Sequence, residues 1–144
     1  MKMLFGIFFG FLLCACSLNA GRPPVDLENE KNLAVKEADR FLVRFDLDAY
    51  EENWDELGKI AKAAESREDW IKSIAASRKA VGKIENREME GSGISENPKD
   101  MPPGQYVVVV YASTFSGAVL KERVTLQKES GRWRPIGYFL LRNV

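Results

Sequence analysis

Apolar residues at Ala34, Ala38, Phe41, Leu42, Phe45 and Ala49 recur at helical spacing and form one face. Lys36, Glu37, Arg40 and Arg44 fall off that face, so the pattern predicts an amphipathic helix over about 27–47. Asp48 followed by Glu51 makes a box-like cap for a second helix, whose stripe is Tyr50, Trp54, Leu57, Ala61 and Ala64. Ser66 with Asp69 repeats the signature and opens a third helix bearing Trp70, Ile71, Ile74, Ala75 and Val81. Gly82 ends it, because glycine tolerates the left-handed backbone that follows a helix.

The period then changes. Residues 90–104 are rich in Gly and Pro and read as a loop. Residues 106–111 are β-branched and aromatic and read as a strand that runs to about 115. Ser116-Gly117 makes a hairpin, 119–128 a second strand, Ser130-Gly131 another turn, and 133–141 a third strand. A weaker strand candidate lies at 84–89. Helices first and an antiparallel meander last predict an α+β fold, with three N-terminal helices packed on one face of a sheet of three to four strands.

The hairpin fixes its own register. With Ser116-Gly117 as the loop, one face carries Val107 with Leu126, Val109 with Val124, Tyr111 with Glu122, and Ser113 with Leu120. The other carries Tyr106 with Gln127, Val108 with Thr125, Val110 with Arg123, and Ala112 with Lys121. The first face is the core, and Glu122 is its single charge. In the last strand a bulge at Gly131 would move Trp133, Pro135 and Phe139 together from one face to the other. Pro135 itself points to an edge strand or a bulge.

The N-terminus reads as an address. Lys2 precedes a short apolar run over 3–13, too short to span a bilayer and built like a secretory signal. Leu13-Cys14-Ala15-Cys16 resembles the bacterial lipobox, with Leu at −3, a small residue at −1 and Cys at +1. Cys14 fits worse, since Leu13 would then stand at −1. Cys16 is therefore the lipidation candidate, and the alternative is an ordinary signal peptide cut after Ala20. A processed lipoprotein of this kind carries several acyl chains, which hold a membrane where one does not. Ser17 at +2 directs such a protein to the outer membrane. The expected organisation is a signal peptide over 1–15, a lipidated Cys and tether over 16–26, and a single α+β domain over 27–144.

Composition narrows the chemistry. The 144 residues hold 21 basic and 21 acidic side chains, which argues against nucleic acid as a partner. There is no histidine, and the two cysteines lie near the start. This removes the Ser-His-Asp and Cys-His nucleophiles and the usual metal sites, so no metal or cofactor is expected.

Larger patterns carry a family likeness. They are Tyr50-x3-Trp54, Trp70-x7-Arg78-x3-Gly82-x4-Arg87, Pro103-Gly104-x-Tyr106-Val107-Val108, Glu122-x-Val124-Thr125, and Gly131-x-Trp133-Arg134 with Gly137-Tyr138-Phe139. Over about 34–140 the chain resembles the bacterial exported family known as domain of unknown function four-thousand-nineteen. That resemblance implies a curved sheet clasping helices, a cystatin-like cone similar to nuclear-transport-factor-two-like domains. It implies no activity, since the wider fold group holds isomerases, dehydratases and pure binding modules.

Glu122 is either a general acid or base in a cone pocket or one partner of a salt bridge with Arg78 or Arg87. Trp54, Trp70, Tyr111 and Phe41 either line an apolar pocket or are plain core. Glu51-Glu52 with Asp55-Glu56 is an acidic helix start that suits the dipole, not a metal site. Three functions fit. The first is a non-catalytic outer-membrane lipoprotein facing the periplasm, which binds an envelope protein or a small apolar ligand. The second is a small periplasmic enzyme of the isomerase or dehydratase type using Glu122. The third is a structural envelope protein with a filled core. The first is the reading preferred, and a pocket opening onto Glu122 would favour the second.

Overall fold

The computed structural model describes residues 26–142. The expected signal peptide, Cys16 and nearly all of the tether lie outside the described residues. Asp26, expected in the tether, instead caps the first helix by accepting a hydrogen bond from the Asn29 amide at 3.1 Å.

Four helices precede four strands: α1 (Leu27–Asp46), α2 (Tyr50–Glu56), α3 (Lys59–Ala64), α4 (Arg67–Val81), β1 (Ile84–Glu96), β2 (Gln105–Phe115), β3 (Ala118–Glu129) and β4 (Arg132–Arg142). The strands form one antiparallel sheet in sequence order, so the fold is α+β. No described helix is long and apolar enough to cross a membrane.

The core sits where α1 crosses the sheet. Ala34, Ala38, Phe41, Leu42 and Phe45, the stripe read from the spacing, are buried against Val107, Val109, Tyr111, Val124, Leu126 and Trp133. Full burial of each large apolar side chain contributes about 1.5–3 kcal/mol. The β2–β3 register matches the pairing set by the Ser116-Gly117 turn, with Tyr111 opposite Glu122.

The second helix departs from expectation. It is two short helices, and its start is Ala49 without a side-chain cap. Asp48 takes a positive φ of 58° and accepts a hydrogen bond from the Tyr50 hydroxyl instead of capping. The break at Leu57-Gly58 has a tertiary cause. Leu57 turns extended and drops into the core, and the Gly58 amide donates to the Pro135 carbonyl of edge strand β4 at 2.8 Å. The Glu129 carboxylate then accepts from the Lys59 amide at 2.8 Å, within the first turn of α3. These bonds replace the ones a continuous helix would make. The third expected helix stands as α4, with the Ser66 hydroxyl accepting from the Asp69 amide and Gly82 at φ 86° closing it.

β1 is the other correction. The weak candidate at 84–89 continues to Glu96, so the Gly-Ser-Gly stretch is strand, and the loop shrinks to 97–104. Pairing with the valine-rich β2 overrides poor strand propensity, and a register shift between Met89 and Gly91 absorbs the irregularity. Ser130 and Gly131 both take positive φ, a hairpin turn that leaves register intact. The β4 bulge falls at Ile136 instead, since Leu126 pairs with Pro135 while Thr125 pairs with Gly137. It divides the three residues expected to move together: Trp133 and Pro135 are buried, while Phe139 pairs with Arg123 on the outer face and is exposed.

Two glycines give opposite expectations. A Cβ at Gly58 would stand 2.7 Å from the Ile136 side chain and 2.5 Å from Glu129, whereas a Cβ at Gly93 meets nothing. Gly58→Ala should therefore cost about 1–3 kcal/mol through overpacking. Gly93→Ala, in an open strand position, should gain about 0.5–1 kcal/mol. Urea unfolding midpoints of the two variants measure both.

Candidate functional site

The single acid of the core face is fully enclosed: Glu122 has 0% exposure. Its Oε1 accepts from Arg78 Nη1 at 2.9 Å and from the Tyr138 hydroxyl at 2.6 Å. Its Oε2 accepts from Arg87 Nε and from the Ser113 hydroxyl, each at 2.6 Å. Both guanidinium groups also bind Asp46, the last residue of α1. Arg87 does so through two bonds of 2.7 and 2.9 Å, and Arg78 through Nη2. Two cations and two carboxylates thus close into one neutral cluster, and each carboxylate touches both arginines.

The local sequence positions each member. Arg78 sits in the last turn of α4, where a cation also suits the helix dipole, and its guanidinium stacks 5.0 Å from Phe115 and 5.7 Å from Phe45. Arg87 projects from β1 and Glu122 from β3, with Ser113 on β2 between them. Asp46 stands at a helix C-terminus, which disfavours an acid, so the two arginines must outweigh the dipole there.

The electrostatics follow from this geometry. Burial opposes the charge of Arg78, but Tyr138, Glu122 and Asp46 outweigh it and hold Arg78 above an ordinary guanidinium. Burial likewise opposes Arg87, and its bonds to Asp46 and Glu122 reverse the sign. The Tyr138 phenol is pushed up by burial and by Glu122, with Arg78 pulling the other way.

Of the residues singled out in the sequence, Glu122, Arg78 and Arg87 come together, as the salt-bridge alternative required. Tyr111 does not join them. It faces the core opposite Glu122, but its hydroxyl donates to Asp39 on α1 at 2.8 Å. Trp54 and Trp70 pack against each other, ring centres 5.8 Å apart, and Trp70 also packs on Phe45. They belong to the contact of α2 with α4 and α1. Asp46, Tyr138 and the role of Ser113 escaped the sequence reading. A carboxylate at the wrong end of a helix is the signal that could have marked Asp46.

A cleft of about 610 Å³ opens between the end of α1, α4 and the start of β1, lined by Phe45, Asp46, Tyr50, Arg78, Lys79 and Lys83 among others. It reaches the Asp46–Arg78 pair, and Glu122 and Arg87 take no part in its wall. Among the described residues no group of three or more Cys, Asp and Glu side chains is placed to hold a metal ion.

The chain matches the family model described as protein of unknown function (DUF4019) over residues 37–138, well over half its length. It belongs to that family. The DUF4019 span contains all of Asp46, Arg78, Arg87, Ser113 and Glu122 and ends on Tyr138, so the cluster falls wholly within it. No curated protein and no solved structure matches the chain.

Removing one member should leave a buried charge uncompensated. Glu122→Gln and Arg78→Met should each cost about 3–5 kcal/mol, and the double variant much less than their sum. Thermal melts of the three proteins decide it. A neutral or stabilising Glu122→Gln would instead mark a strained site kept for function.

The four tyrosines supply a second expectation. Burial, with the bond to Asp48, pushes Tyr50 up to about 12, and burial pushes Tyr106, Tyr111 and Tyr138 up as well. Each phenol ionises less readily folded than unfolded. Its contribution to stability is complete below about pH 10, the unfolded value, and is lost as pH rises through the folded one. For Tyr50 that window ends near pH 12. Tyrosinate absorbance at pH ~11 should therefore be lower in the folded protein than in guanidinium chloride.

Proposed function

We propose that this chain is a non-catalytic lipoprotein, anchored through Cys16 in the outer membrane and facing the periplasm, which acts by binding a partner. The observation that carries the non-catalytic part is the closure of Glu122, whose two oxygens accept four protein donors at zero exposure. A general acid or base must lie within hydrogen-bond reach of substrate. The cleft that approaches from outside stops at Asp46 and Arg78, which supports the same reading.

The anchor rests on Leu13-Cys14-Ala15-Cys16 and on Ser17 after it. The bulges in β1 and β4 bend their strands, which supports the cone expected from the likeness to nuclear-transport-factor-two-like domains. Here, however, the space between helices and sheet is filled by side chains. A structural envelope protein would share that filled core without needing a partner. A second reading, a small ligand, draws on the cleft beside Phe45, Lys79 and Lys83.

Cys16→Ser should abolish both membrane retention and labelling by an alkynyl fatty acid, read by fractionation of cells producing the full chain. A wild-type protein that takes no label and is cut after Ala20 would overturn the anchor.

A further inference from the structure

Among the described residues the helices cover one face of the sheet, and the other is bare of them. On that outer face the loop over 97–104 shields only one end, where Tyr106 donates to the Pro102 carbonyl and Gln127 to the Tyr106 hydroxyl. Beyond it lie Val108 and Val110, partly exposed, with Val119 at 61% and Phe139 at 48% exposure and Leu141 beside them. Gly91 and Gly93 of β1 leave open space above the backbone. Val108, Val110 and Ala112 of β2 and Phe139 and Leu141 of β4 make an apolar stripe within a face that elsewhere carries Lys121, Arg123 and Thr125 of β3 and Asn86 and Glu88 of β1.

One charge in the middle of this face is unlike the others. Lys121 pairs with Glu90 at 2.8 Å. Arg123 has no ion pair or hydrogen bond among the described residues, and its buried Nε has no partner. Its guanidinium carbon stands 4.8 Å from the centre of the Phe139 ring, whose face favours a cation there.

From these observations we propose that the outer sheet face is a docking surface for another protein, whose matching patch is apolar with a carboxylate that meets Arg123. The inference rests on the proposed partner-binding role and gives it a surface and a chemistry. Four strands about 4.8 Å apart and, beyond the loop, about eight residues at about 3.3 Å give a face on the order of 500 Å². That is below the roughly 800 Å² each partner contributes to a standard interface and suits a smaller, transient contact. It is the outer side of the sheet, turned away from the helices, unlike the concave sites that take small ligands. A second copy could meet Arg123 with an acid such as Glu88, exposed on this same face, and the test separates that outcome.

The test is photocrosslinking in intact native cells, with p-benzoylphenylalanine replacing Val110 in the full chain and a second probe at Lys83 in the cleft. The expected result is a protein adduct at Val110, mapped to a segment that carries Asp or Glu among apolar residues. Arg123→Glu should lower its yield about tenfold or more, and reversing the partner's acid to Arg should restore it. Should Arg123→Glu fail to fold by circular dichroism, Arg123→Gln, which adds no charge, should still lower the yield about threefold or more. An adduct with a second copy or with lipid overturns the proposal, as does a protein adduct indifferent to Arg123 in a folded variant. An adduct at Lys83 alone refutes this face and leaves partner binding standing. No adduct at either probe sinks both.

Discussion

Every element but the two short helices depends on four charges. Asp46 ends α1, Arg78 closes α4, Arg87 comes from β1 and Glu122 from β3, while Ser113 and Tyr138 add hydroxyls from β2 and β4. Taking four ions out of water costs several kcal/mol each, and mutual attraction with complete hydrogen bonding offsets it. An apolar packing of the same volume would often be as stable. What the cluster adds is geometry. Any sliding of α4 along the sheet, or of α1 toward its C-terminus, would leave a buried charge without its partner.

The same logic fixes α1 at its other end. Glu30, in the first turns, accepts from the Trp133 indole at 3.1 Å and pairs with Lys128 at 2.6 Å. Glu30 and Asp46 lie about 24 Å apart along the helix, and the apolar stripe runs between them. A helix held by its buried face alone can rotate or shift by a turn at modest cost. One tied at both ends by specific ion pairs cannot. The neighbouring corner shows a further tie, where Arg134 of β4 pairs with Glu56 at the end of α2 and the Gly58 amide reaches the Pro135 carbonyl.

These ties mark what was legible in the sequence. Local periodicity revealed α1, α4 and the β2–β3 register, because there the pattern and the turn agree with the tertiary fold. The register placed Glu122 on the core face, and its search for a partner led to Arg78 and Arg87. Apart from Asp48, which meets Tyr50 two residues on, the misses involve partners distant along the chain. The break between α2 and α3 answers to Pro135 and Glu129, the length of β1 to the valines of β2, and the bulge at Ile136 to the edge position of β4. Asp46 was hidden because the dipole rule places acids at the opposite end of a helix, and the two arginines that overrule it are remote in sequence. Nothing local in the chain distinguishes Tyr138, which meets Glu122, from Tyr111, which meets Asp39.

The arginines separate the molecule into a finished side and an unfinished one. Arg78 and Arg87 face two carboxylates each, and Tyr138 accepts from Arg78 as well, so the buried acids are met by donors of this chain. Arg123 stacks on Phe139, a weaker hold, yet it meets no acid among the described residues. Holding a long cationic side chain still on an apolar surface loses rotamer entropy that stacking only partly returns. An arginine kept merely for solubility would gain by swinging into water, as exposed lysines do. Its place over a sheet face that no described helix covers suits the proposed contact, whereas the Glu122 cluster is a contact already complete.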